Sequence, residues 1–174
     1  EFPPAMLMNA LFAKLHRALV SHGEGRIGIS FPDVGKKTGQ LGQRLRLHGQ
    51  ASDLEKLMAS NWLQGMRDHL AAFAIRPVPD GAKHRIVRRV QAQSNPERLR
   101  RRLCKRHTLS EEEARQRIPN RAARHLDLPY VQLRSQSTGQ HFLLFIDQGD
   151  NLPEPRPGGF NRYGLSQGGS VPWF

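Results

Sequence analysis

Eight histidines are the side chains of this sequence best suited to moving protons: His16, His22, His48, His69, His84, His107, His125 and His141. The unperturbed imidazole titrates at a pKa of about 6.5, so it can take and return a proton near neutral pH. None of them has the His-x-x-x-His spacing with neighbouring acids that a helical metal site requires, so acid–base chemistry is expected and no metal or other cofactor. Cys104 is the single cysteine, which excludes an internal disulfide and a cysteine-based zinc site and fits a reducing cytoplasm. Spacing does not choose among the histidines. His16 lies beside an apolar helical stripe, a position from which a ring can edge into a cleft, although a lone helical histidine is commonly structural or exposed.

The second chemistry is that of arginine. The chain carries 27 Lys and Arg against 15 Asp and Glu, a formal net charge of +12, and residues 83 to 134 hold 15 of the basic residues against 5 acidic ones. Of the 27 cations 21 are Arg, whose planar fork pairs bidentately with phosphate or a guanine edge. On a helix, Arg98, Arg101, Arg102, Lys105 and Arg106 fall on one broad face and Leu99 and Leu103 on another. A charge run of this kind ordinarily means a solvated face. Here few acids lie nearby, and the mutual repulsion is relieved if a polyanion neutralises it. Isolated side chains read the deep major groove of A-form RNA poorly, but an arginine-rich helix can insert near a hairpin end. Arg89 and Gln91, two apart on a strand, share a face and can each pair bidentately with a base.

These residues have to be held by a fold of about one domain, or two small ones, for 174 residues. No apolar run approaches the roughly 20 residues of a membrane span, and no signal-type leader is visible. Prolines 3 and 4 followed by Met8, Leu11, Leu15 and Leu19 predict a first helix from Pro4 to Ser21. Strands are expected over 26–31 and 43–48. Ser52 and Glu55 read as a capping box opening a second helix, with further helical turns over 61–70 and a strand at 73–78. That order is the split βαβ, ferredoxin-like pattern without its first strand. The chain opens at Glu1 rather than Met, which reads as a piece lacking upstream sequence. A turn-rich joint at Pro77 to Gly81 predicts a boundary, giving domains 1–80 and 81–174. The second begins with a strand over 84–91, the arginine helix capped by Ser94 and Asn95, and a helix opened by Ser110 and Glu113. Strands at 130–134 and 141–147 and a Gly-rich tail complete it.

Four ordered segments carry a family resemblance: Lys14-Leu15-His16, the run from Arg89 through Ser94-Asn95-Pro96-Glu97 to Leu103, Leu133 to Phe142 with Ser135-Gln136-Ser137-Thr138-Gly139, and Tyr163-Gly164-Leu165-Ser166 with Pro172-Trp173-Phe174. Together they resemble the type I-F CRISPR repeat endoribonuclease, the Csy-type enzyme. The resemblance implies an α+β fold with a ferredoxin-like N-terminal domain and a C-terminal domain bearing the arginine helix. It implies metal-independent cutting of CRISPR repeat RNA at the base of a hairpin, by attack of a ribose 2′-hydroxyl that leaves a 2′,3′-cyclic phosphate, with the product hairpin retained.

Roles follow by matching positions. The resemblance makes His16 the catalytic histidine, as base on the 2′-hydroxyl or as proton carrier to the leaving group. It makes Ser135 the residue that fixes the ribose, although a serine there is ordinarily a turn former, and Tyr163 the residue that orients the histidine. It gives base reading to Arg89 and Gln91, backbone contacts to Ser137 and Thr138, and stacking on the terminal base pair to Phe142, where a core Phe is the plain alternative. Phosphate contacts fall to the helix cations and His107. Lys105 and Ser170 depart from the family's pattern. The expected partners are the repeat hairpin and other subunits of a type I-F surveillance complex. A non-catalytic RNA-hairpin-binding subunit is the competing reading.

Overall fold

A computed structural model of the chain describes residues 2–34, 41–91, 96–118 and 127–174, and of 96–98 the backbone only. The architecture is mixed α+β, with four α-helices and small antiparallel sheets among the described residues. The chain forms two compact units, residues 1–90 with 128–174 and residues 91–127.

In the first unit, α1 (Pro4–His22) begins with proline in its first turn, where the missing N–H costs nothing. Its period of three and four buries Met8, Phe12, Leu15, Ala18 and Leu19. Strands β1 (Gly28–Ser30) and β2 (Arg46–His48) pair antiparallel with Gly28 opposite His48, and α2 (Ala51–Ala59) follows. Helix, strand, strand, helix is the expected order.

Two expectations are corrected here. Helix α2 is capped at Gln50, not Ser52. Asp53 in the first turn is buried and gripped by Arg26 through Nε and Nη2 at 3.0 and 2.9 Å. That bond holds the Asp53 carboxyl below its usual range. Residues 73–78 form no strand. Phe73 is 80% exposed, and among the described residues the segment pairs with no strand, the sheet of this half being β1 with β2. Pro77 to Gly81 falls within this exposed stretch, and beyond Asn61 the chain makes turns and one 3₁₀ turn at Arg67–His69.

The expected strand over 84–91 is two short ones, β3 (Lys83–Arg85) and β4 (Arg88–Val90). The break comes where the Ser166 N–H bonds the Val87 carbonyl and the Val87 N–H bonds the Ser166 hydroxyl, so that Val87 pairs with the tail. Strand β4 then pairs with β6 (His141–Asp147), which pairs with β5 (Tyr130–Arg134) over five residues. Val131 and Leu133 alternate inward from β5 and Leu144 and Ile146 from β6, as a half-buried sheet requires. They meet the apolar face of α1 in one core. The Asn9 Oδ1 accepts from the Gln132 N–H at 3.0 Å, tying helix to sheet.

The tail adds β7 (Gly159–Phe160), β8 (Ser166–Gln167) and β9 (Val171–Trp173), the last paired with β3. Arg85 stacks on Trp173 and Arg46 on Phe174, at 4.0 and 3.9 Å to the ring centroids.

The second unit contains α3 (Pro96–His107) and α4 (Glu111–Arg117). The Ser110–Glu113 capping box forms in both directions, and the Ser110 N–H and hydroxyl, both donating to the Glu113 carboxylate, hold it below the usual carboxylate range. The expected caps of α3, Ser94 and Asn95, lie outside the described residues, as does His125. No helix among the described residues is long and apolar enough to cross a membrane.

Buried His48 makes the first unit pH-sensitive. It is 8% exposed and its Nε2 lies 2.8 Å from the Ser30 hydroxyl on β1. Burial, with Arg46 nearby, pushes its pKa down from 6.5 to about 4. The folded state therefore resists a proton that the unfolded chain takes readily. Stability from the neutral ring is intact above pH 6.5 and is lost as pH falls toward 4, by roughly 3 kcal/mol. Chemical denaturation at stepped pH is expected to show this slope, flattened in His48→Gln; equal slopes in the two proteins refute it.

Candidate active site

Of the described histidines, His22, His69, His107 and His141 are exposed, His84 is half-buried on β3 and His48 is buried in the core. His16 alone has partners that chemistry can use. It stands on α1 one turn after Phe12, half-buried. Its ring lies parallel to that of Tyr163, with centroids 4.0 Å apart and planes 13° apart. Tyr163 in turn stacks on Phe12 at 6.1 Å, and Phe12 on Phe31 at 6.2 Å. A column of rings thus runs from the core to the imidazole and fixes its plane.

The ring's rotation within that plane is set by a hydrogen bond of 2.8 Å between Nδ1 and the main-chain oxygen of Arg162. A carbonyl oxygen can only accept, so Nδ1 carries the hydrogen. The neutral ring then has its lone pair on Nε2, turned away from the loop. This is the form in which an imidazole accepts a proton from a substrate. Sequence reasoning did not find the Arg162 carbonyl; a main-chain atom leaves no trace in residue type.

The loop that supplies both contacts, residues 161–165, runs against β1, with the Ile29 N–H bonded to the Gly164 carbonyl at 3.0 Å. Gly164 has φ +76°, and a Cβ there would come within 2.7 Å of Ile29 Cγ2, so only glycine fits. Beside the pair, the end of α1 and this loop enclose an open cleft of about 500 Å³ lined by Leu19, Val20, Ile27, Phe160, Arg162 and Tyr163, among others.

Ser135 follows β5 directly. Its hydroxyl accepts from the Thr138 N–H at 3.3 Å and lies 3.1 Å from the Ser137 hydroxyl, while its carbonyl accepts from Gly139 at 2.8 Å. The turn is therefore an ordered one that gathers Ser135, Ser137 and Thr138. No hydrogen bond or ring contact joins Ser135 to His16 or Tyr163. Measured along their own elements from the Asn9–Gln132 tie, seven helical residues place His16 about 10 Å away and three strand residues place Ser135 about 10 Å away.

Arg89 is exposed on β4 with its guanidinium 6.0 Å from the Phe142 ring, the outer limit of a cation–π contact. Phe142 is half-buried against the core, so it has both the packed body of a core residue and an open edge. Gln91 lies one residue beyond β4, exposed.

On α3, Arg101, Arg102, Lys105, Arg106 and His107 are exposed, and Leu99, Leu103 and Cys104 are half-buried. Arg100 bonds the Ile118 carbonyl at 2.8 Å, tying α3 to the end of α4. Among the described residues, Arg101, Arg102, Lys105 and Arg106 make no ion pair with an acid. The side chain of Arg98 lies outside the described residues. No three His, Cys, Asp or Glu side chains among those described stand close enough to hold a metal ion.

The family model for CRISPR-associated protein (Cas_Csy4) matches residues 1–174, the whole chain. A CRISPR-associated endonuclease Cas6/Csy4 of Pseudomonas aeruginosa (strain UCBPP-PA14) is 60% identical over 174 residues, spanning all of this chain and 93% of that protein. A protein of the same name from Escherichia coli (strain UTI89 / UPEC) is 48% identical over the same spans.

Proposed function

The chain belongs to the Cas_Csy4 family of CRISPR-associated proteins and is a CRISPR-associated endonuclease, and from that premise we propose that it cuts CRISPR repeat RNA at the base of a hairpin, without a metal. The observation that carries this reading is the His16 ring, stacked on Tyr163 and bonded through Nδ1 to the Arg162 carbonyl. Cleavage by an internal nucleophile needs the 2′-hydroxyl in line with phosphorus, a base for its proton and donors for the developing charge. His16 Nε2 takes the 2′-hydroxyl proton. The oxygen attacks phosphorus, the bond to the 5′-oxygen of the next nucleotide breaks, and a 2′,3′-cyclic phosphate remains. The leaving oxygen takes up a proton, for which the imidazolium now formed is a source.

Ser135 holds the ribose that bears the nucleophile, with Ser137 and Thr138 on the adjoining backbone. Arg89 and Gln91 read bases low in the stem, and Phe142 stacks on its terminal pair. Arg98, Arg101, Arg102, Lys105, Arg106 and His107 take phosphates along the hairpin. Residues 1–80 thus carry the cutting histidine, and residues 81–174 most of the RNA contacts. The α3 cations Arg101, Arg102, Lys105 and Arg106, none paired with an acid among the described residues, favour retention of the product hairpin, and the retained RNA is where other subunits of a type I-F surveillance complex assemble, in the cytoplasm.

The test uses the protein in EDTA with a labelled repeat hairpin and a copy carrying a 2′-deoxy nucleotide just upstream of the cut. Cleavage of the first and not the second is expected. Cleavage of both removes the 2′-hydroxyl from the mechanism; tight binding with neither cut returns the protein to a hairpin-binding subunit.

A further inference from the structure

We infer that Asn161 is a positioning residue that sets which nitrogen of His16 carries the proton, an inference that rests on the endonuclease reading above. Asn161 does not contact the histidine. It shapes the loop that does. Its Oδ1 accepts from the Tyr163 N–H at 2.8 Å and the Leu165 N–H at 3.1 Å. Its own N–H donates to the Leu165 carbonyl at 2.8 Å, and its carbonyl accepts from the Gly164 N–H at 2.9 Å. Four hydrogen bonds on one residue therefore bracket Arg162 and Tyr163, the two residues whose carbonyl and ring meet His16.

The far end of the loop has no freedom to compensate. Gly164 is bonded to Ile29 of β1 and packed against it so closely that a methyl group would not fit. With that end fixed, the direction of the Arg162 carbonyl depends on the Asn161 end. Asparagine suits the task because its short amide accepts from main-chain groups two residues on, as the Tyr163 N–H is here.

What the carbonyl direction decides is chemical rather than mechanical. The ring of a histidine side chain free in water modestly favours hydrogen on Nε2, the tautomer in which that nitrogen cannot act as a base. The Arg162 carbonyl overrides this by accepting from Nδ1–H, as orienting partners of histidines do elsewhere. Asn161 thereby sets the fraction of neutral His16 whose Nε2 lone pair is available to substrate. An orienting group of this kind acts on the rate of the chemical step and leaves RNA affinity alone, since it touches no substrate atom.

The experiment records ring ¹⁵N spectra of His16 in the RNA-free protein, at a pH where the imidazole is neutral, for wild type, Asn161→Ala and Asn161→Asp, with single-turnover cleavage by each. Asn161→Asp keeps the acceptor oxygen. Wild type and Asn161→Asp are expected to show hydrogen on Nδ1. Asn161→Ala is expected to shift to a mixture rich in Nε2–H, and to cut about tenfold to a hundredfold more slowly with its affinity for the hairpin within about twofold. An Asn161→Ala spectrum and rate like those of wild type overturn the inference, as does a slowed variant whose His16 keeps its hydrogen on Nδ1. If the alanine variant loses its fold, Asn161→Gln, which moves the acceptor outward by one methylene, must show the same mixture. The spectra stand apart from activity: a wild-type protein with Nδ1–H that cuts no RNA sinks the endonuclease mechanism and leaves the tautomer assignment in place.

Discussion

His16→Ala is expected to lower single-turnover cleavage of the repeat hairpin by about three orders of magnitude while hairpin affinity stays within about twofold. General acid–base catalysis by one positioned side chain is worth roughly 10²–10⁴, and among the described residues this imidazole has no stand-in. His48 is enclosed with Ser30, and the other described histidines lack any partner that would orient them toward a substrate. The affinity is spared because the binding energy is assigned to cations elsewhere in the chain. Removing the ring also uncovers one face of Tyr163, so His16→Gln, which restores bulk without a titratable nitrogen, belongs beside it. Both variants are assayed by gel shift and by denaturing gels at saturating protein. A His16→Ala protein that cuts within tenfold of the wild-type rate removes the histidine from the mechanism.

Neutralising the exposed face of α3 has the second large effect. Arg101, Arg102, Lys105 and Arg106, none of them paired with an acid among the described residues, are changed together to Gln, which keeps the helix propensity nearly unchanged. Each phosphate contact with duplex releases condensed counterion and adds about 0.9 to the slope of log affinity against log salt. The fourfold variant is expected to lose about three and a half units of slope and on the order of 10²–10⁴ in affinity near physiological salt. Cleavage at saturating protein changes little, because these residues do not touch the reacting atoms. The salt slope separates this reading from a solvated charged face: if slope and affinity match the wild type, the cations face solvent.

The arginine helix was legible because helical period and charge run coincide, and α4 because Ser110 and Glu113 satisfy each other over three residues, a local signal that survives folding. Strand β5 alternates Val131 and Leu133 with polar neighbours, and β6 carries the continuous apolar run from Phe142 to Ile146, so both were legible as strands. Ser52 misled because the helix begins at Ala51, two residues earlier than a Ser52 cap would start it, with Gln50 in the cap position and no side-chain cap bond, while Asp53 in the first turn is held by Arg26, 27 residues away. The strand expected at 73–78 needed a neighbour, and propensity says nothing about whether one exists. Strand 84–91 broke for the converse reason, a tail residue 79 positions away taking the Val87 N–H. The site itself shows the same division. Histidine is visible as a type, and the family resemblance selects His16, but its two partners come from positions 162 and 163, one of them a main-chain atom.

That separation governs when the protein becomes competent as it is made. Chains leave the ribosome from the amino end at about 5–20 residues per second, so α1, carrying His16, emerges before α3, and both emerge while residues 161–165 are still unsynthesised. Phe12 has no Tyr163 to cover it and His16 has no carbonyl until positions 162 and 163 have been made. A nascent or prematurely terminated chain can therefore present cations to RNA before it has a working proton carrier. A chain stopped before position 162 keeps α1 and the cations of α3 but lacks both groups that fix the His16 ring.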